Sequence, residues 1–135
     1  MKKFIEIILF VCLFSTIIQA KEVNRLVIEK VAINAFADLY NKDNSAVRVK
    51  EILAIKTDEL STTLYVVNIN PTGFLIISAS DATIPVLASS DKSNFSLERI
   101  PPQLEFLFNY YNKQIEKVEK QNIRSTPNIK KEWDK

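Results

Sequence analysis

The stretch YVVNINPTGFLIISASDATIPVLASS, residues 65–90, decides the expected fold. It contains two apolar runs rich in β-branched and aromatic residues, joined by the turn Asn70-Pro71-Thr72-Gly73. A second short turn then leads to a third apolar run that contains Pro85. Such runs are typical of strands, and proline and glycine are typical of the turns between them. The stretch therefore predicts three strands joined by short turns, which favours an antiparallel meander.

The segments on either side extend this pattern. Residues 46–56 alternate between apolar and polar side chains and predict a further strand. The side chains expected on its apolar side are Val47, Val49, Leu53 and Ile55. Residues 26–40 carry one apolar stripe at helical spacing, with Asn24 as the expected N-cap. A second helix is predicted to begin at Pro101-Pro102 and to end near residues 120–122.

These elements predict an α+β domain of two layers, in which an antiparallel sheet of three to four strands packs with an N-terminal and a C-terminal helix. The run at 74–79 is apolar on both faces, which indicates a central strand covered on each side. Pro85 lacks an N–H donor, so the last strand is expected to lie at an edge or to begin at that residue.

The first twenty residues, MKKFIEIILFVCLFSTIIQA, have the pattern of a secretory signal peptide. We therefore divide the chain into a signal peptide at 1–20, a domain at 21–122 and a C-terminal tail at 123–135. After cleavage we expect a secreted or periplasmic protein with no membrane contact. An uncleaved anchor is the alternative, because Ile18 lies where cleavage favours a small residue, and lipidation at Cys12 is a minor alternative.

Composition excludes several classes of chemistry. The chain has no histidine and one glycine, and its one cysteine lies within the predicted signal peptide. A Cys/His or Ser/His nucleophilic site, a His- or Cys-ligated zinc site and a glycine-rich phosphate loop are therefore excluded. The 18 basic and 16 acidic side chains are interspersed, so no concentrated basic patch favours nucleic acid. We expect a protein that is not an enzyme, needs no cofactor and binds no nucleic acid.

Several short motifs nevertheless occur in a recognisable order. They are Ala32 to Phe36, Tyr65 to Asn68, Gly73 to Asp81, Pro85 to Leu87 followed by Ser90, the lone Phe95, and the Pro-Pro-x-Leu helix start at 101–104. With this order and spacing the chain resembles, from about residue 25 to 120, the Spi-like inhibitor and propeptide domain of the streptopain family of secreted cysteine proteases. Thr72 and Ala88 stand where that family usually has glycine, which affects the turns more than the apolar pattern.

The resemblance implies a function and a site. It implies a secreted inhibitor that occludes the active-site cleft of a streptopain-like cysteine protease without a covalent bond. No Cys/His catalytic module follows residue 122, so we expect a stand-alone inhibitor. In the family the loop before the last helix makes the inhibitory contact. By position this loop corresponds to Glu98, Arg99, Ile100, Pro101, Pro102 and Gln103.

The residue types suit that role. The two prolines restrict the backbone and lower the cost of ordering the segment on binding. Ile100 could enter an apolar pocket, and Gln103 could form hydrogen bonds. A purely structural interpretation stays open, in which Pro101-Pro102 begins the helix and Ile100 packs beneath it as a hydrophobic staple.

Two other functions also stay open. The chain could be a propeptide-like folding assistant or the remnant of a protease zymogen. It could also be a surface-associated binding domain held by a retained signal segment. Trp133, in the charged tail, either contacts a partner or folds back onto the domain.

Overall fold

The computed structural model describes residues 23–57 and 61–135, so the predicted signal peptide lies outside the described residues. The elements in chain order are α1 (Arg25–Tyr40), a 3-10 turn (Asn44–Ala46), β1 (Arg48–Lys56), β2 (Thr62–Asn70), β3 (Phe74–Ser78), β4 (Val86–Ser90), α2 (Pro102–Lys120) and α3 (Pro127–Asp134). The strands form one sheet in the order β1-β2-β3-β4, and each neighbouring pair is antiparallel. The α+β class and the antiparallel meander are confirmed. Within the described ranges, no helix combines the length and the apolar character needed to cross a membrane.

The sheet is covered on both faces. All five residues of β3 are buried. Leu75 and Ile77 pack in the cluster that contains α1, on what we call the α1 face, whereas Phe74 and Ile76 pack in the cluster that contains α2, on the α2 face. The central strand covered on each side is thus confirmed. Because α1 and α2 bury their apolar stripes on opposite faces, helix, sheet and helix form three layers, one more than the two expected.

β1 directs apolar side chains to both faces. Lys50 is an extra residue in its pairing with β2. Such a bulge inverts the alternation of side chains. Val49 therefore packs on the α1 face, whereas Leu53 and Ile55 pack on the α2 face. The prediction that Val47, Val49, Leu53 and Ile55 share one side is wrong.

β4 lies at the edge of the sheet opposite β1. It begins at Val86, directly after Pro85. The missing N–H of Pro85 therefore interrupts no hydrogen bond within the strand, and the predicted edge position is confirmed.

Local hydrogen bonds set both ends of α1. The side chain of Asn24 accepts a hydrogen bond from the N–H of Leu26 at 2.8 Å, which confirms the predicted cap. Asn41 ends the helix in the left-handed conformation. In the turn that follows, the hydroxyl and the N–H of Ser45 donate to Asp43, and these bonds hold the pKa of the Asp43 carboxyl below its ordinary value.

The C-terminal segment packs on the rest of the domain. The sequence pattern predicts a tail at 123–135, but Pro127–Asp134 form a helix that Thr126 caps. Trp133 is only 9% exposed and belongs to the cluster on the α1 face. Its indole N–H donates to the carbonyl oxygen of Thr83 at 2.8 Å. Of the two alternatives for Trp133, the structure therefore shows the one in which it folds back onto the domain.

Gly73 closes the β2–β3 hairpin in a conformation that requires glycine. Its φ is +121°, which side-chain-bearing residues rarely adopt. A Cβ atom at this position would lie 2.6 Å from Cζ of Phe36. Because Phe36 is buried in the α1-face cluster, its ring has little room to retreat.

We expect Gly73→Ala to lower the free energy of unfolding by more than about 2 kcal/mol, because backbone strain and overpacking add. Equilibrium urea unfolding measures the change. Thr72→Ala, at an exposed position of the same turn, is the matched control and should have little effect. Equal stability of the two variants would contradict this account of the turn.

We expect Trp133→Ala to lower the free energy of unfolding by about 3 kcal/mol, since it empties a buried site and removes a hydrogen bond. Circular dichroism during urea unfolding measures this. Lys131→Ala, at an exposed position of the same helix, should leave the midpoint unchanged. A Trp133→Ala midpoint equal to that of the control would show that the helix does not stabilise the domain.

Candidate functional site

The segment predicted to contact a protease lies in the connection from β4 to α2 and in the first turn of α2. Its exposed residues are Glu98, Arg99, Pro101, Pro102 and Gln103. Ile100 is half-buried and packs against the cluster on the α2 face. The structure thus keeps the predicted residues together and leaves all but Ile100 accessible.

Asn68 fastens the start of this connection to the centre of the sheet. Its side-chain oxygen accepts the N–H of Phe95 at 2.8 Å, and its Nδ2 donates to the Phe95 carbonyl at 2.9 Å. Nδ2 also donates to the Glu51 carboxylate at 2.8 Å. Asn68 is fully buried. One side chain therefore satisfies both backbone groups of Phe95 away from water and holds the loop backbone at that residue.

The ring of Phe95 strengthens the same attachment. It is 6% exposed and lies between two other aromatic rings. The centroid of Phe74 on β3 is 6.0 Å away, and that of Phe108 on α2 is 5.6 Å away in an edge-on arrangement. Next to it, Asn94 accepts the N–H of Gly73 at 2.9 Å. The loop is thus joined to β3, to α2 and to the hairpin turn.

A second attachment follows at the start of α2. Pro102 is the first residue of the helix, and the carbonyl of Pro101 accepts the N–H groups of Leu104 and Glu105 at 2.9 and 3.1 Å. Ile100 packs on the α2 face beneath this turn. The structural interpretation of these residues is therefore confirmed for the helix start and for the packing of Ile100, which leaves Ile100 less available as an anchor for a partner.

Between the two attachments, residues 96–99 form a turn at the surface. The N–H of Arg99 points to the Ser96 carbonyl at 3.4 Å, and the N–H of Glu98 to the Ser96 hydroxyl at 3.2 Å. Leu97, in the middle of the turn, is 53% exposed. The predicted segment began at Glu98 and omitted it. Residues 89–99 are polar apart from Phe95 and Leu97, and these two apolar residues were the signal available in the sequence. In the structure Phe95 is buried and Leu97 is exposed.

The exposed surface continues along α2. Pro102, Phe106 and Tyr110 are spaced by four residues and therefore share one side of the helix. Phe106 is 73% exposed and Tyr110 52%. The helical spacing in the sequence identifies only the buried stripe of α2, so these two aromatic side chains were not among the predicted site residues.

The groups of this region suit binding. The segment 96–103 offers the exposed aliphatic side chain of Leu97, two exposed prolines, the opposite charges of Glu98 and Arg99, and backbone groups at a turn. Among the residues that the structure describes, no group of three histidine, cysteine or acidic side chains could hold a metal ion. What the region presents is a shaped surface fixed at both ends.

Comparisons with known proteins agree with a binding role. A family model described as Spi protease inhibitor matches residues 20–115. The matched range contains α1, the whole sheet and the segment 96–103, and it ends within α2, so that α3 lies outside it. No curated protein and no solved structure matches the chain.

We expect Asn68→Ala to lower the free energy of unfolding by about 2–4 kcal/mol, because it leaves buried backbone groups of Phe95 unpaired. The hydrogen-exchange rate of the Phe95 amide, followed by NMR, should rise along with the loss of stability. Asn109→Ala, the same change at an exposed site on α2, is the control. Unchanged protection of the Phe95 amide in Asn68→Ala would contradict the role given to Asn68.

Proposed function

The chain belongs to the Spi protease inhibitor family, and we propose that it inhibits a streptopain-like cysteine protease by placing residues 96–103 in the active-site cleft. Membership of a family of protease inhibitors makes a protease the expected partner. The resemblance of the sequence to streptopain-type domains supports the class of protease. The observation that carries the proposal is the exposed turn held between two buried attachments.

Fixed ends favour inhibition for a physical reason. A free loop loses conformational entropy when a cleft immobilises it, and this cost weakens binding. Here the Asn68–Phe95 hydrogen bonds restrain one end of the turn. The packing of Ile100 and the start of α2 at Pro102 restrain the other. Much of the ordering cost is therefore already met when the domain folds.

The exposed side chains contact different parts of the cleft. Leu97 enters an apolar pocket of the cleft, in the role first considered for Ile100. Glu98, Arg99 and Gln103 contact the rim of the cleft, where charged and amide groups stay partly solvated. Pro101-Pro102 keeps the backbone in a geometry that a protease accommodates poorly, which opposes cleavage.

The exposed side of α2 extends the contact beyond the cleft. Phe106 and Tyr110 are aromatic, and aromatic side chains are enriched in the central parts of protein interfaces. They follow directly from the segment 96–103 along the same helix. The inhibitor thus combines a narrow element for the cleft with a broader apolar surface beside it.

We expect Leu97→Asp to raise the inhibition constant at least about 30-fold, equivalent to about 2 kcal/mol, because it removes a central apolar anchor. A purified streptopain-type protease and a fluorogenic peptide substrate measure the effect. Leu26→Asp, at a 74% exposed leucine on α1, is the matched control and should leave inhibition unchanged. Equal unfolding midpoints for the two variants would exclude a folding defect.

Two outcomes would contradict the proposal. The wild-type domain could fail to inhibit the protease at micromolar concentration, which would remove the function itself. The Leu97→Asp variant could inhibit as well as wild type, which would remove the segment 96–103 from the contact.

We also propose that the protein acts outside the cytoplasm after cleavage near Ala20. The signal-like pattern of residues 1–20 supports this. The intact mass of protein collected from the medium or periplasm should correspond to residues 21–135. A mass that retains the first twenty residues would favour an anchored protein.

A further inference from the structure

The two edges of the sheet differ in their protection. β1 carries four charged side chains, Arg48, Lys50, Glu51 and Lys56, and a bulge at Lys50. Charges and bulges at an edge discourage pairing with another strand. β4 also has an extra residue, Leu87, in its pairing with β3, but its sequence VLASS carries no charge. The β4 edge therefore lacks the charges that protect β1.

Backbone groups at the start of β4 are directed to the open side. The N–H of Ser78 donates to the Pro85 carbonyl at 2.9 Å, so these residues form a hydrogen-bonded pair. In an antiparallel ladder the next pair is not hydrogen-bonded. Val86, which lies opposite Ile77, therefore directs its N–H and C=O away from β3. Further along, the Leu87 carbonyl already accepts the Tyr111 hydroxyl at 3.2 Å, so the first part of the strand offers the free groups.

A groove lies beside this part of β4 on the α1 face. Its volume is about 400 Å³, and it is lined by α1, by residues 84–86, by Glu132 of α3 and by Lys135. Leu39 and Ile84 line it and are 57% and 52% exposed. Such a volume can receive a large apolar side chain.

The charge of the groove is unbalanced. Glu132 and Lys135 line it and pair with each other at 2.8 Å. Asp38 also lines it, and its carboxylate is exposed and has no ion-pair or hydrogen-bond partner in residues 23–57 and 61–135. The groove therefore favours an occupant that brings a positive charge.

We infer that β4 and this groove bind an extended segment of the target protease that carries an apolar and a basic side chain two residues apart. Its backbone pairs with Val86, and its alternate side chains point into the groove, as in strand addition to a sheet edge. The apolar side chain packs against Leu39 and Ile84, and the basic one pairs with Asp38. A second copy of this chain fits less well, because its β4 brings no basic residue. The source of the segment rests on the proposed function.

The first test needs no protease. The acetylated and amidated peptide TVTKTVT is titrated into residues 21–135, and amide shifts are followed by NMR. We expect shifts concentrated at residues 84–90 and at Asp38 and Leu39 on the α1 side of the groove. Two N-methylated versions carry methyl groups on alternate sets of amides. Only one set can face β4, so one version should lose binding and the other should keep it.

Variants locate the charge contact. Asp38→Asn should weaken binding of the peptide by about threefold or more, as expected for one partly exposed ion pair. Glu105→Gln, the same change at an exposed site of α2, should leave it unchanged. Shifts concentrated away from both residues 84–90 and the groove, equal binding by both N-methylated peptides, or self-association at this edge would each overturn the inference.

The second test separates this site from the inhibitory segment. Ile84→Asp should raise the inhibition constant for the protease about tenfold. An unchanged constant for Ile84→Asp alongside a loss of inhibition in Leu97→Asp would reject the edge site and retain the proposed function. Peptide binding at β4 by a domain that inhibits no streptopain-type protease would reject the proposed function and retain the edge as a strand-binding site.

Discussion

The reciprocal hydrogen bonding between Asn68 and the backbone of Phe95 is the interaction on which the surface turn depends. Asn68 lies on β2, one of the two inner strands, and is fully buried. A buried amide that serves both backbone groups of one residue acts as a short piece of sheet pairing without a strand. It transfers the rigidity of the sheet to residue 95, and the turn at 96–99 begins from that fixed point.

The layered fold makes this attachment possible. β2 and β3 have helices on both faces, so the groups between them are shielded from water. Because Gly73 has no side chain, the β2–β3 hairpin can lie close against the Phe36 ring of α1. The side chain of Asn94 accepts a hydrogen bond from the N–H of Gly73. The hairpin turn and the start of the loop are therefore one connected unit, and neither can move far without the other.

The strands, the helices and their order could be predicted because the apolar pattern of each element recurs over several residues of a single segment. The bulge at Lys50 could not, because it depends on how β1 pairs with β2 and not on the residues of β1 alone. The same holds for Trp133, whose site is formed by α1 and by the distant carbonyl of Thr83. For the candidate site, the segment 98–103 was predicted, but Leu97 was missed. The hydrogen bonds of the distant Asn68 determine that Phe95, and not Leu97, is buried.

We propose that residues 96–103 occupy the active-site cleft of a cysteine protease. A crystal structure of residues 21–135 in complex with a streptopain-type protease would show where this segment lies. We expect Leu97 in van der Waals contact with the cleft beside the catalytic cysteine of the protease, with no bond to the cysteine sulfur and with the Asn68–Phe95 hydrogen bonds unchanged. A complex in which the cleft is empty and the turn at 96–99 faces solvent would contradict it.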